Sequence, residues 1–136
     1  MKIGLYGGSF NPPHLGHSLA VHYGLIRYNF DEVWVVPCYQ HAFGKNLLEF
    51  EHRMNMVKLS MRHLRRVRVL PVEKELGGTS SSIETVRHLY SINEGIQLYL
   101  MIGDDLLSEV WTWKEADELL KLAPMKLLNR AEVLPA

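Results

Sequence analysis

The residues best able to do chemistry lie together near the amino terminus, in Gly7-Gly8-Ser9-Phe10-Asn11-Pro12-Pro13-His14-Leu15-Gly16-His17. Glycines lack a Cβ and let backbone N–H groups approach an anion closely, and a helix starting just after them adds free amide donors and the positive end of its dipole. His14 and His17 are three residues apart, so both rings project from one side of the first helical turn, where two imidazoles can donate hydrogen bonds to a phosphate. Gly4, Gly7 and Gly8 do not reproduce the G-x-G-x-x-G dinucleotide fingerprint, and no Gly-Lys-Ser/Thr follows as in a Walker loop. Hydride transfer and P-loop chemistry therefore lose support. A bare glycine pair would read as a tight turn with surface histidines, but eleven residues ending in two helix-initial histidines favour an anion site.

Such a site needs a strand to deliver the glycines and a helix to receive them. Ile3 to Tyr6 is a short apolar run that stops at Gly7-Gly8, and Glu32-Val33-Trp34-Val35-Val36 is a β-branched run stopped by Pro37, so both read as buried strands. Between them, Leu15, Leu19, His22 and Ile26 fall at helical spacing after Pro12-Pro13, which predicts a helix over about 14–28. Phe50, Met54, Val57, Met61 and Leu64 mark one buried stripe of a second, amphipathic helix. Val67 to Val72 reads as a third strand. Ser82 can cap a helix with Ile83, Val86 and Tyr90 on its apolar face, and Ile96 to Ile102 is a fourth strand. After Gly103, short helices carry Leu106-Leu107 and then Trp113, Ala116 and Leu120, and Met125 to Leu128 is the last strand. Strands separated by helices imply right-handed crossovers and a three-layer, Rossmann-like α/β fold with a mostly parallel sheet of about five strands. Such sheets bind ligands beyond the carboxyl ends of their strands, where strand order reverses.

Length and composition set the bounds. The 136 residues suit one compact domain, 1–136, without room for a second. Fifteen Lys and Arg balance fifteen Asp and Glu, so no global field attracts nucleic acid or an anionic membrane, and any bound anion must be met locally. Cys38 is the only cysteine, which excludes an internal disulfide and a thiolate-rich metal site. The amino terminus lacks the apolar stretch of a signal peptide, and no run approaches the roughly 18 apolar residues of a membrane span; the expected compartment is the cytoplasm. Arg62, His63, Arg65, Arg66 and Arg68 form a basic cluster that reads as a solvated helix end rather than a nucleic-acid patch. A zinc site built from His14, His17 and either His41 or His52 is the competing use of the histidines, but it needs three or four ligands in one place and no glycine lead-in. No resident metal is expected.

The glycine and histidine run resembles the G-G-[ST]-F-[DN]-P-x-H-x-G-H signature of the nucleotidyltransferase superfamily, and its full spelling is most similar to bacterial nicotinate mononucleotide adenylyltransferases. The resemblance extends along the chain in order. Pro37 to Lys45 followed by Glu51-His52-Arg53-Met54 is similar to the family's lysine-bearing loop and following helix; Ser80 to Thr85 resembles S-Y-T-x-D-T; Ile102-Gly103-Asp104-Asp105-Leu106 resembles I-G-x-D-x-L. Trp113 falls where the family has a tryptophan near the nicotinate ring, and Arg130 matches the arginine ending a later strand. The resemblance implies adenylyl transfer in NAD biosynthesis: the mononucleotide phosphate attacks the α-phosphorus of ATP in line and pyrophosphate leaves with Mg²⁺. It assigns His14 and His17 to the ATP phosphates, with Gly8, Ser9 and the backbone of Phe10 lining that site. Lys45 would meet substrate or triphosphate charge. Gly103 and Asp105 would hold the adenosine, Arg130 the nucleotide, and Thr85 with Trp113 the nicotinate nucleotide.

Some positions depart from the pattern. Ser81 replaces the usual aromatic and Glu84 the usual aspartate, which leaves nicotinate or nicotinamide, or another phosphate acceptor, open. The sequence ends at Ala136 without the family's I-S-S-T-x-I-R phosphate-binding segment, so the alternative expectation is a nucleotide-binding protein of the same fold without turnover, or one that borrows the segment within a homo-oligomer. Trp111 and Trp113 can equally be core packing, and Asp104 can simply begin a helix.

Overall fold

The computed structural model describes residues 1–10, 13–39, 48–77 and 81–128. The strands are β1 (Lys2–Gly8), β2 (Glu32–Pro37), β3 (Val67–Val69), β4 (Gln97–Gly103) and β5 (Met125–Leu128). The helices are α1 (Leu15–Arg27), α2 (Phe50–Met61), α3 (Val72–Glu75), α4 (Ser82–Ile92) and α5 (Ala116–Leu122). All strand pairs are parallel, in the order β3-β2-β1-β4-β5, with Leu5 opposite both Trp34 and Leu100. The chain first steps outward from β1 to β2 and β3, then returns to the other side of β1 for β4 and β5. Strand order therefore reverses between β1 and β4, and their carboxyl ends open a crevice there.

Period-2 alternation divides the sheet residues between two faces. Ile3, Leu5, Trp34, Val36, Leu98, Leu100 and Ile102 pack with Val72, Ile83, Val86, Leu89 and Leu119 from α3, α4 and α5. Val33, Val35 and Met101 pack on the opposite face with Ala20, Val21 and Leu25 of α1 and Val57 and Met61 of α2. This is the expected three-layer arrangement, with both faces covered. Among the described residues no helix is long and apolar enough to cross a membrane.

Four local expectations are corrected. The predicted α1 stripe is the outer face: Leu15 is 73% and Ile26 67% exposed, while Ala20, Val21, Gly24 and Leu25 are buried. Small residues win the inner face because the helix lies close to the sheet; a Cβ on Gly24 would stand 2.5 Å from Met101 Cε. The third strand is only Val67–Val69, since Pro71 cannot donate to a ladder, and Val72 is buried instead by the short α3. Ser81 rather than Ser82 stands at the N-cap of α4, without a side-chain capping bond. His14 likewise precedes α1 as its N-cap in extended geometry.

The basic cluster after α2 is used locally. Arg66 donates to the Phe30 carbonyl at 3.0 Å, and Arg68 lies 3.6 Å from Glu32.

Candidate functional site

The end of β1 and the start of α1 build a donor array from the main chain outward. At the N-cap, His14 Nδ1 accepts from Gly16 N–H at 3.0 Å, and His17 Nδ1 accepts from His14 N–H at 2.9 Å, a reciprocal capping box made by two histidines. An Nδ1 that accepts a backbone N–H carries no hydrogen, so the neutral rings are held as the tautomer with hydrogen on Nε2. The rings stack 3.9 Å apart at 25°. Gly16 makes the box possible, because a Cβ there would lie 2.8 Å from the His14 ring. Beneath them Phe10 is 1% exposed, with φ of +48°, and meets the His17 ring at 4.6 Å and the Tyr6 ring at 5.8 Å, both edge-on. A bulky residue in the left-handed region is strained. Phe10 buttresses His17 from the core and is not among the residues lining the cleft.

These groups line a cleft of about 350 Å³ on the α1 face of the crevice. Its walls include Gly7, Gly8, Ser9, His14 and His17 from one side, and Gly103, Asp105 and Leu128 from the other. Asp105 belongs to a single 3₁₀ turn, Asp104–Leu106, directly after β4. Its Oδ1 sits 2.8 Å from where a Gly103 Cβ would be, so glycine lets that carboxylate fold back over the strand end.

A second pocket of about 210 Å³ opens on the α4 face and shares Gly7, Gly8, Met101 and Leu106 with the cleft. Leu5, Val36, Leu100 and Ile102 give it apolar walls, and Ser82, Thr85, Trp113 and Glu73 reach it from the helices and loops. Thr85 is 4% exposed and its Oγ1 has no hydrogen-bond partner, an expensive arrangement for a pocket that stays dry. Trp113 is half-buried and both packs against the core and lines the pocket, whereas Trp111 is 59% exposed and belongs to neither.

Glu73 and Arg53 were not singled out from the sequence as site residues. Glu73 accepts from Tyr39 N–H at 3.3 Å; burial pushes its carboxyl up to about 7, with the Tyr39 bond and the Arg53 charge pulling the other way. Arg53 is 1% exposed, and its guanidinium donates to four carbonyls among the described residues: Leu48 at 2.8 Å, Ser9 at 2.8 Å, Cys38 at 2.7 Å and Tyr39 at 3.2 Å. It fastens the glycine loop to the end of β2 and to residue 48. Tyr39 is gripped at both ends, its carbonyl by Arg53 and its N–H by Glu73.

The structure therefore brings His14, His17, Gly8, Ser9, Gly103 and Asp105 together in one cleft, and Thr85 and Trp113 in the pocket beside it. Lys45, Arg130 and His41 lie outside the described residues. His52 is exposed on the first turn of α2. Among the described residues no three His, Cys, Asp or Glu side chains converge as metal ligands.

The fold and the motif both have relatives. The sequence profile of the cytidylyltransferase-like family matches residues 5–135. A protein of Anaeromyxobacter dehalogenans named "Probable nicotinate-nucleotide adenylyltransferase" is 37% identical over 132 residues, covering 95% of this chain and 71% of its own length. One of the same name from Myxococcus xanthus is 35% identical, covering 96% and 70%. In fold, the chain superposes on Plasmodium falciparum nicotinic acid mononucleotide adenylyltransferase complexed with NaAD, with a TM-score of 0.79 at 21% identity over 99% of this chain and 76% of that one. A putative nicotinate-nucleotide adenylyltransferase from Vibrio parahaemolyticus gives 0.80 at 21% identity, over 93% and 76%. With its histidine capping box at the β1–α1 turn and a profile match that runs almost end to end, this chain belongs to the cytidylyltransferase-like family, alongside these nicotinate-nucleotide adenylyltransferases.

Proposed function

We propose that this chain transfers the adenylyl group of ATP to the phosphate of nicotinate mononucleotide, giving a dinucleotide and pyrophosphate. The observation that carries the reading is that the two cavities adjoin at Gly7, Gly8, Met101 and Leu106, so two nucleotides entering from opposite faces would bring their phosphates together beside the histidines. An oxygen of the mononucleotide phosphate attacks the α-phosphorus of ATP. The bond from that phosphorus to the α–β bridging oxygen breaks, and pyrophosphate leaves with the electron pair.

Each group has a role its position supports. The Nε2–H atoms of His14 and His17, with the Gly8-Ser9 backbone and the positive end of the α1 dipole, neutralise charge that grows on the phosphate oxygens in the crowded transition state. Asp105 accepts hydrogen bonds from adenosine hydroxyls, Gly103 gives the nucleoside room, and Thr85 and Trp113 hold the pyridine ring by hydroxyl and indole face. By the family pattern Lys45 is assigned to substrate or triphosphate charge and Arg130 to the nucleotide. Positioning supplies most of the remaining rate, since holding two reactants in line replaces a bimolecular encounter. The donor set of the cleft, two histidines bound to main chain and one carboxylate, does not make a metal cage. Mg²⁺ belongs to the substrate, carried by the triphosphate.

The deciding experiment is pyrophosphate release by purified protein with MgATP and nicotinate mononucleotide, beside nicotinamide mononucleotide, phosphopantetheine and no acceptor. Release that depends on a pyridine mononucleotide supports the reading. Folded protein that binds ATP and releases no pyrophosphate with any acceptor replaces it with a nucleotide-binding protein of the same fold.

A further inference from the structure

The acceptor pocket has an unusual charge inventory. Its described walls are apolar side chains, glycine backbone and the hydroxyls of Ser82 and Thr85, and the one ionisable group among them is the carboxyl of Glu73. Around that carboxyl, α2 contributes Arg53, whose guanidinium is already spread over carbonyls; the turn after β2 contributes the Tyr39 N–H. On its own helix Lys74 is paired outward with Glu51 at 2.6 Å. On α4 Glu84 is paired with Lys114 at 3.0 Å and Arg87 with Glu115 at 3.1 Å. The strands β1, β2 and β4 present Leu5, Gly7, Gly8, Val36, Leu100, Met101 and Ile102, none of them ionisable. No cation lines the pocket among the described residues.

A pyridine nucleotide placed on Trp113 carries either a carboxylate or a neutral carboxamide beside its ring. Building on the adenylyl-transfer reading above, we propose that Glu73 sets acceptor selectivity by charge: ionised, it repels the carboxylate of nicotinate mononucleotide and accepts an N–H of nicotinamide mononucleotide, and protonated, it donates to the nicotinate carboxylate. The physical basis is a like-charge contact in a largely apolar pocket, where two charges are screened less than in bulk water. Because burial holds the Glu73 carboxyl near 7, the change between the two states falls in the neutral range. Glu73 is thereby a specificity residue for the acceptor and takes no part in the phosphoryl chemistry.

The test is the ratio of kcat/KM for nicotinate mononucleotide to kcat/KM for nicotinamide mononucleotide between pH 5.5 and 8.5. Both acceptors carry the same phosphate and meet the same ATP, so titrations of those groups cancel in the ratio. In the native protein the ratio falls about tenfold as pH rises through the neutral range, with the change in KM, as expected of one like-charge contact. In Glu73→Gln the ratio is flat. A native ratio that does not move with pH overturns the proposal, as does an unchanged slope in Glu73→Gln, and the native measurement stands even where the variant folds poorly. Turnover with neither acceptor removes the adenylyl-transfer reading together with this inference; turnover with an unchanging ratio removes this inference alone.

Discussion

The α1-face cleft and the α4-face pocket share a wall and handle charge in opposite ways. The cleft is a surface of donors fixed by main chain: helix amides, the glycine loop and two imidazoles whose Nδ1 atoms are bound to backbone N–H groups. The pocket is a surface of hydrocarbon in which polarity is confined to single side chains, chiefly Thr85 and Glu73. Donors set by backbone geometry suit a phosphate that is the same in every substrate. Isolated polar groups in a dry wall suit discrimination, because a ligand that fails to satisfy them leaves them stranded.

Substitutions on either side test this contrast. Arg53→Met acts on both cavities, because the side chain that ties Ser9 of the cleft to Tyr39 beside the pocket is lost together with its four bonds to carbonyls. Unfolding free energy in denaturant falls by about 3–5 kcal/mol, and KM rises for ATP and acceptor alike. His17→Ala acts on the cleft alone, lowering kcat by about 10²–10³ for nicotinate and nicotinamide mononucleotide equally, the range seen when one preorganised donor is removed. Unequal loss between the acceptors would mean that the cavities are not separate in function.

Glu73→Gln exposes the pocket's electrostatic cost. A carboxyl raised from 4.5 to about 7 makes the folded state bind more protons than the unfolded chain between those values, so its contribution to stability falls as pH rises through that window. The variant is therefore more stable than the native protein by up to about 3 kcal/mol at pH 8 and equal to it at pH 4.5, measured by urea melts. Thr85→Val is the smallest change. It replaces an unpartnered buried hydroxyl with a methyl, raises stability by about 1 kcal/mol, and raises KM for the acceptor but not for ATP.

How far the molecule could be read from its sequence follows the same division. The strand and helix alternation and the glycine–histidine turn were legible because both are local patterns: β-branched runs stopped by glycine or proline, and two histidines at a helix start. The inner face of α1 was not, since Leu15, Leu19, His22 and Ile26 make a convincing stripe while the buried side is Ala20 and Gly24, residues whose value is smallness against Met101. Arg53 stood in the helix-opening resemblance, but its job could not be read there for another reason. Its partners are carbonyls of Ser9, Cys38, Tyr39 and Leu48, and a carbonyl has no letter in the sequence. Glu73 sits in Val72-Glu73-Lys74-Glu75-Leu76, which reads as an exposed charged turn; only the fold shows that the Glu73 carboxylate faces the acceptor pocket. The motif thus marks where phosphates go, and the tertiary structure marks what else the site will accept.

The central position of β1 also governs the order in which the site comes into being. One edge of β1 pairs with a nearby stretch of chain, Ile3 with Glu32, while the other waits for a distant one, Lys2 with Gln97. Loop-closure entropy makes the second seam the slower to form. The crevice between β1 and β4 is that second seam, so a chain emerging from the ribosome carries its glycine–histidine turn long before it has a place to bind two nucleotides. Nucleotides that enter the crevice bind only the fully paired sheet, and each adds its binding free energy to the closure of that last seam.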